Sequence, residues 1–307
     1  MRILVTGTNG LVGKELILLE NTEYEFIPVI SKDVDLRDLS RTCDFIEKNL
    51  PIDGIINLAA NVGGIFKNLR FPVEMTEDNI LINLNILKSA HKYNINRVIC
   101  CLSTCIFPNV PPNFPMTHEM IHEGPPHYSN QGYAYAKRIT DILCKAYRDE
   151  YKREYFCVVP TNIYGRFDHF EDIENSHVVP SLIKKIQDGR NENEILMRGE
   201  GTPLRQFIYS EDVAKLILWA FKYYKHIENP LILCPPNSEI SIKRVVELIS
   251  EKIGFKGFIV FDCDTNSNGQ KIKTVETPEC IKDFEFTSFE EGIKKTIDWY
   301  LSQPYHE

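Results

Sequence analysis

The chain has 307 residues, of which 43% are hydrophobic and 25% are charged, and its formal net charge is −8. This length is enough to bury a large core in one domain or in two closely packed ones. Binding to a phosphate-rich duplex needs a basic surface, so the negative charge argues against a nucleic-acid partner.

Two features predict a reducing, cytoplasmic setting without a membrane. Residues 1–5 lead directly into a turn, so their apolar run is too short for a secretory signal, and no stretch approaches the ~20 apolar residues of a membrane span. The nine cysteines are an odd number and lack the paired spacing of zinc knuckles. We therefore expect reduced thiols and no metal site.

The first half of the chain alternates between apolar segments typical of strands and amphipathic segments typical of helices. The predicted strands are 2–6, 25–30, 54–58, 97–103 and 156–161, and the predicted helices are 11–19, 38–49, 75–93 and 133–151. Apolar strands that alternate with helices indicate a parallel sheet covered on both faces. The predicted fold class is therefore α/β, with a doubly wound parallel sheet.

In the second half the predicted strands and helices alternate less regularly, which predicts a smaller, mixed α/β lobe. Ser176 is a candidate N-cap for a helix over 178–188. Further strands are predicted at 194–197 and 207–209, and further helices at 211–224, 241–253 and within 286–301. We expect one domain over 1–165, with 206–234 returning to it, and a ligand-binding lobe over 166–205 and 235–307.

A glycine loop between the first strand and the first helix predicts a dinucleotide site. Glycine allows a sharp turn and a close approach of a pyrophosphate to the helix N-terminus, where free N–H groups favour anions. The residues expected there are Gly7, Asn9, Gly10, Leu11, Val12 and Gly13.

The end of the second strand favours NADP over NAD. NAD-binding proteins usually have an acidic residue there, which binds the ribose 2′-hydroxyl. This chain has Ser31 and Lys32 instead, which suit a 2′-phosphate. Asp35 and Leu36 follow at a spacing where the adenine ring can rest. The third strand ends in the small residues Ala59 and Ala60, which let a cofactor lie against the sheet edge.

A Tyr-x-x-x-Lys pair predicts proton transfer to a carbonyl or hydroxyl group. Tyr133 and Lys137 share one face of a helix, and we expect the ammonium to lower the pKa of the phenol. The fourth strand brings Ser103 to the carboxyl edge of the sheet, where ligands bind. This combination resembles the extended short-chain dehydrogenase/reductase superfamily, which has a Rossmann fold.

Motifs along most of the chain narrow this resemblance to one family within the superfamily. The motifs STCIFP, GYAYAKR, PTNIYG, NSHVVP and GTPLRQFIYSEDVA are similar to those of the GDP-L-fucose synthases, which are GDP-4-keto-6-deoxy-D-mannose 3,5-epimerase-4-reductases. The resemblance implies NADPH as the reductant and a nucleotide-sugar substrate. It also implies a homodimer that pairs through helices 75–93 and 133–151.

The same resemblance implies roles for individual residues. Cys105 matches the family's base and His177 its acid for inversion at C3 and C5. Ser103 and Tyr133 would hold the oxygen at C4, which Tyr133 would then protonate. The remaining cofactor positions implied are Leu102, Lys137, Pro160, Asn162, Ile163 and His177.

The implied substrate site carries cations for a diphosphate. Its residues are Asn162, Lys185, Arg198, Arg205, Asn268 and Lys273. Arg198 stands where the family usually has Trp, and Asn268 stands where it usually has Asp, so the base and the sugar stay open.

Two other readings also stay open. An NAD-retaining 4-epimerase or dehydratase can use the same fold, although a dehydratase would be expected to carry acids just after Ser103. A redox-sensing regulator that binds a dinucleotide has no need of Ser103, Tyr133 and Lys137 together.

Overall fold

The computed structural model describes residues 1–20, 22–171, 176–263 and 270–303. Strands and helices alternate regularly in the first part of the chain and less regularly in the second. In chain order the elements are β1 (Arg2–Thr6), α1 (Leu11–Leu18), β2 (Glu25–Val29), α2 (Leu39–Lys48), β3 (Gly54–Asn57), α3 (Ile65–Arg70), α4 (Pro72–Lys92), β4 (Arg97–Cys101), α5 (Gln131–Tyr151), β5 (Glu154–Pro160), β6 (Asn162–Tyr164), α6 (Val178–Asp188), β7 (Glu194–Met197), β8 (Leu204–Tyr209), α7 (Ser210–Tyr223), β9 (Leu231–Leu233), β10 (Glu239–Ser241), α8 (Ile242–Ile253), β11 (Phe258–Phe261) and α9 (Phe289–Leu301).

Six strands form a parallel sheet in the order β2-β1-β3-β4-β5-β9. Successive side chains of a strand point to opposite faces, and both faces of this sheet are buried. On β1, Ile3 and Val5 pack in the core with α1 and α7, whereas Leu4 packs in the core with α2, α4 and α5. The predicted α/β fold with a doubly wound sheet is therefore confirmed.

The rest of the chain builds two smaller sheets around a third core. Strand β8 lies between β10 and β6, and β11 pairs in parallel with β7. Residues of α6, α8 and α9 pack together, with Ile183, Ile249 and Ile293 fully buried. The predicted division into domains at 165, 205 and 234 stays a prediction.

Several predicted boundaries are wrong. The strand predicted to reach Ser103 ends at Cys101, because the backbone turns into a short 3₁₀ helix over Thr104–Ile106. The N-cap of α6 is His177 rather than Ser176, whose hydroxyl instead donates to the carbonyl of His169 at 2.7 Å. The sequence reasoning also missed α3, β6, β9, β10 and β11, which are too short to show a clear hydrophobic period.

Two kinds of feature are missing from the part of the chain that the structure describes. No helix within it is long and apolar enough to cross a membrane. Likewise, none of its His, Cys, Asp and Glu side chains form a group of three or more that could hold a metal ion.

Phe221 tests the core between the sheet and α7. Its side chain is fully buried, and its ring lies so close to Gly54 that a Cβ there would come within 2.4 Å of it. We expect Phe221→Ala to lower the free energy of unfolding by about 3–5 kcal/mol, because it leaves a cavity. Phe258, which is 76% exposed, is the matched control. Phe258→Ala should change the free energy of unfolding, measured by urea denaturation, by about 0.5 kcal/mol or less. Equal losses in the two variants would contradict this core assignment.

Candidate active site

A cavity of about 1420 Å³ opens where the parallel strands end. The loops after β1, β2, β3, β4 and β5 contribute to its walls, as do α5, α6 and the turn before β8. Nearly all the predicted site residues lie in this wall. They are Gly7, Asn9, Gly10, Leu11, Val12, Gly13, Ser31, Asp35, Leu36, Ala59, Ala60, Leu102, Ser103, Cys105, Tyr133, Lys137, Pro160, Asn162, Ile163, His177, Lys185, Arg198, Arg205 and Lys273.

Two predicted residues are not among them. Asn268 lies outside the described residues. Lys32 is exposed and lies off the cavity wall, which carries Arg37 instead. The Arg37 guanidinium bonds both carboxylate oxygens of Asp35 at 2.9 Å and reaches Asp78 at 3.3 Å. Two carboxylates therefore face this guanidinium, and the prediction that Lys32 reads a 2′-phosphate remains a prediction.

The glycine loop has the shape and charge that a pyrophosphate requires. Gly7 has a φ of 72°, which favours glycine. A Cβ on Gly13 would lie 2.3 Å from the carbonyl oxygen of Gly7, so the helix can pack this close only without a side chain. Helix α1 begins after Gly10 with no side-chain cap and no acid in its first turn. Its free N–H groups therefore remain available to an anion, and this end of the cavity fits a dinucleotide.

Buried amides hold the loop that follows β3. Thr6 donates its hydroxyl to Asn57 at 2.6 Å, and Asn57 donates to Asn83 of α4 at 2.9 Å. The same Thr6 hydroxyl accepts the backbone N–H of Ala59 at 3.1 Å. Because a buried amide without a partner is costly, this chain of bonds fixes the loop against the sheet edge.

Tyr133 and Lys137 lie together in the wall of the cavity. Both are buried, and the Lys137 ammonium lies 5.7 Å from the centre of the Tyr133 ring. Lys137 also donates to the backbone carbonyl of Cys101 at 2.8 Å. The pair is therefore anchored to the end of β4, beside Ser103.

The expectation that Lys137 lowers the pKa of Tyr133 is wrong for this structure. Burial raises the pKa of Tyr133 well above its ordinary value, and the nearby thiols Cys105 and Cys101 act in the same direction. Burial also lowers the pKa of Lys137. The phenol consequently keeps its proton at neutral pH, which suits a group that must donate one.

Cys105 lies beside a cation that sequence reasoning had placed on a diphosphate. The Lys273 ammonium is 3.6 Å from the Cys105 sulfur, and the backbone N–H of Cys105 donates to the Ser103 hydroxyl at 3.3 Å. Burial alone would raise the pKa of Cys105, but Lys273, Ser103 and Asn130 together outweigh burial and lower it. These three neighbours therefore favour the thiolate form of Cys105.

His177 lies at the start of α6 with its side chain half open to the cavity. Its Nδ1 is 3.6 Å from a carboxylate oxygen of Asp168, whose side chain is only 2% exposed. Asp168 raises the pKa of His177 against the opposing effect of burial, and Cys105 adds to the rise. The imidazole makes no capping hydrogen bond to the helix, so its ring nitrogens can interact with a ligand in the cavity.

Four cationic side chains line the part of the cavity formed by α6 and by residues 198–273. Lys185, Arg198 and Arg205 line it together with Lys273. Burial lowers the pKa of Lys185, and Arg198 lowers it further. The Arg198 guanidinium lies 5.7 Å from the centre of the Phe66 ring. Several positive groups around one hollow are suited to a diphosphate.

Sequence reasoning missed Asp168, Asn130 and the pairing of Lys273 with Cys105. Asp168 was assigned to a polar loop, and Lys273 is separated from Cys105 by 168 residues. A signal was present for Asp168, since it precedes His177 by nine residues in a segment rich in His and Asp. For the other two, no local pattern marks the contact.

Comparisons with known proteins agree with this geometry. The model of the NAD dependent epimerase/dehydratase family matches residues 3–233. The chain is 40% identical to the GDP-L-fucose synthase of Dictyostelium discoideum, over 97% of this chain and 95% of that protein. It is 37% identical to the probable GDP-L-fucose synthase of Drosophila melanogaster, over 98% and 97%. A solved GDP-L-fucose synthetase from Naegleria fowleri bound to NADP has a TM-score of 0.87 and 36% identity, and the match covers 98% of this chain and 94% of that one.

Gly13 tests the anion-binding loop. In Gly13→Ala the new methyl group would meet backbone atoms of Gly7 and Thr8 within 2.7 Å, so the loop must move. We expect dinucleotide affinity, measured by quenching of tryptophan fluorescence, to fall by about tenfold or more, which is about 1.4 kcal/mol. Gly124→Ala is the control, because its Cβ would approach only Pro108, at 3.4 Å. Unchanged affinity in Gly13→Ala would refute the assignment.

Lys273 tests the charge state of Cys105. In Lys273→Met the cation beside the sulfur is lost, so the pKa of Cys105 should rise and its alkylation by iodoacetamide should slow at neutral pH. The thiolate exists above the pKa, so the pH profile of alkylation should move to higher pH. Mass spectrometry follows Cys105 separately from the exposed Cys263 and Cys280. Lys271→Met, at an exposed neighbouring lysine, should leave the profile where it is.

Proposed function

The chain belongs to the NAD dependent epimerase/dehydratase family and, within it, to the GDP-L-fucose synthases, and we propose how its residues perform that family's reaction. It is an NADP-dependent enzyme that converts GDP-4-dehydro-6-deoxy-D-mannose to GDP-L-fucose by 3,5-epimerisation and 4-reduction. The observation that carries the proposal is that three titratable groups at one cavity each have a charged side chain beside them. They are Cys105 with Lys273, His177 with Asp168, and Tyr133 with Lys137.

Epimerisation begins at a carbon beside the keto group. The Cys105 thiolate removes the proton from that carbon, so a C–H bond breaks and an S–H bond forms, while the electron pair moves onto the oxygen at C4. The hydroxyls of Ser103 and Tyr133 hold the resulting enolate. Lys273 supports this step because it stabilises the thiolate before the proton arrives.

His177 completes the inversion from the opposite side. Its N–H gives a proton to the carbon as the enolate returns to the ketone. Delivery from the face opposite Cys105 inverts the centre. Cys105 then releases its proton to solvent and His177 takes one up, after which the same two transfers at the second carbon invert the other centre. An imidazole whose pKa is raised carries the proton that this step consumes.

Reduction uses the same oxygen at C4. The glycine loop, with Gly7, Gly10 and Gly13, would hold NADPH, which would supply a hydride to C4. Tyr133 gives its phenolic proton to the oxygen, and Lys137 lies close enough to stabilise the phenolate that remains. Burial that keeps the phenol protonated suits this role, since the proton is held until charge develops on the sugar.

The remaining assignments concern binding. Lys185, Arg198 and Arg205 would hold the diphosphate and the base, and Asn162 would lie between the cofactor and the sugar. Asn162 already donates to the backbone carbonyl of Gln206 at 2.7 Å, which ties it to β8.

A homodimer in the cytoplasm is the setting that we propose. Helices α4 and α5 pack against each other and keep apolar side chains exposed on their outer faces. A second copy can cover such faces. The exposed side chains are Val73 at 66%, Leu81 at 39%, Tyr135 at 40%, Ile139 at 38% and Ile142 at 55%.

Incubation with NADPH and GDP-4-keto-6-deoxy-mannose in heavy water tests the reaction. We expect NADPH oxidation, deuterium at C3 and C5, and a fucose product. Turnover of a UDP- or dTDP-linked sugar but not of this one would keep the chemistry and overturn the substrate. Bound cofactor that is recycled without net NADPH consumption would point instead to a 4-epimerase.

Cys105→Ser separates epimerisation from cofactor binding. We expect deuterium exchange to fall by about 10²–10⁴-fold, because the base is lost, while NADPH binding is kept. Cys280→Ser, at an exposed thiol outside the cavity wall, is the matched control. Normal exchange in Cys105→Ser would refute Cys105 as the base.

A further inference from the structure

Asp168 lies behind His177 as an almost fully buried carboxylate. It follows β6 on the loop that leads towards α6, and its side chain is 2% exposed. One oxygen, Oδ1, accepts the backbone N–H of His169 at 2.9 Å and lies 3.6 Å from Nδ1 of His177. Within the described ranges the other oxygen, Oδ2, is buried without a hydrogen-bond partner.

Burial of such a group needs compensation. An ionised carboxylate removed from water is costly unless a cation or several donors face it. The cationic form of His177 is the partner that the geometry provides, at a distance which a small rotation of either side chain closes to a hydrogen bond. The carboxylate therefore favours a proton on the imidazole.

The position of His177 disfavours a positive charge on its imidazole, so a compensating carboxylate is needed. It is the N-cap residue of α6, where the helix dipole disfavours a positive charge. Arg205 and Lys273, which line the same cavity, add to the positive charge there. The groups that act in the other direction are Asp168 on the loop after β6 and Cys105 on the turn after β4.

We propose that Asp168 is a positioning residue, which orients His177 and holds on it the proton that the sugar carbon receives. This inference rests on the proposed roles of Cys105 and His177 in epimerisation. Lys273 then compensates the negative charge of the base while Asp168 compensates the positive charge of the acid. Each partner thereby favours the charged form that the proposed step needs before substrate arrives.

Asp168→Asn is the central variant, because it removes the charge and keeps the shape. Deuterium incorporation at C3 and C5 should fall in kcat, with little change in KM, since Asp168 touches His177 rather than the substrate. The protonated imidazole is lost as pH rises through its pKa, and the variant lowers that pKa. The alkaline limb of the exchange profile should therefore move to lower pH, with about a tenfold loss of rate above the limb for each unit of movement.

A second activity separates this effect from general damage. In the proposed mechanism, oxidation of GDP-L-fucose by NADP⁺ needs proton transfer by Tyr133, supported by Lys137, but no proton transfer by Cys105 or His177. It should stay within about twofold of wild type in Asp168→Asn. Asp141→Asn is the matched control, because Asp141 contacts His122 at 2.9 Å and this Asp–His pair lies outside the cavity wall. It should leave the exchange profile unmoved.

A direct measurement keeps the inference testable if the proposed reaction fails. NMR titration of the His177 ring, assigned with His177→Gln, should give a higher pKa in the wild-type protein than in Asp168→Asn. Asp168→Glu, which keeps the carboxylate, should restore part of the difference. Equal titration of His177 in wild type and Asp168→Asn, or an unmoved exchange profile, would overturn the role of Asp168. Absence of exchange in the wild type would overturn the proposed function instead.

Discussion

The parallel alignment of six strands is the constraint on which the active site depends. All these strands end at one edge, so the loops that follow them converge on one cavity whatever their separation in the chain. The loop after β1 supplies the anion-binding glycines, and the turn after β4 supplies Ser103 and Cys105. Burial of both sheet faces makes this edge rigid, which reactions requiring fixed proton donors and acceptors need.

Charge in the cavity is arranged in pairs rather than as one field. Lys273 faces Cys105, Asp168 faces His177, and Lys137 lies over Tyr133. Burial acts on each group in the direction that neutralises it. Neighbouring groups outweigh burial for Cys105 and His177, whereas burial prevails for Tyr133 and Lys137. The charged forms of the thiol and the imidazole are thereby favoured, whereas the phenol stays protonated. In the proposed mechanism this difference separates the two acid–base steps of epimerisation from the single protonation of reduction.

Most of the fold and much of the site were predictable because they depend on local pattern. Strand and helix alternation identified the sheet, and the glycine spacing identified the turn before α1. Errors occurred where a contact across the chain overrode the local signal. The Ser176 hydroxyl bonds His169 instead of capping α6, and Lys137 donates to Cys101 while burial governs the pKa of Tyr133. Propensity and spacing carry no information on such contacts.

The sequence alone determined the fold class and the glycine loop, and it predicted the proposed reacting groups Ser103, Cys105, Tyr133, Lys137 and His177, all of which line the cavity. Periodicity and glycine spacing express backbone geometry, and motifs express the chemistry of single side chains. The tertiary structure decided which charge faces which group. Lys273 approaches Cys105 from 168 residues away, and the buried carboxylate of Asp168 lies 3.6 Å from the imidazole of His177. Electrostatic effects depend on distance and burial in three dimensions, and the linear order of residues specifies neither.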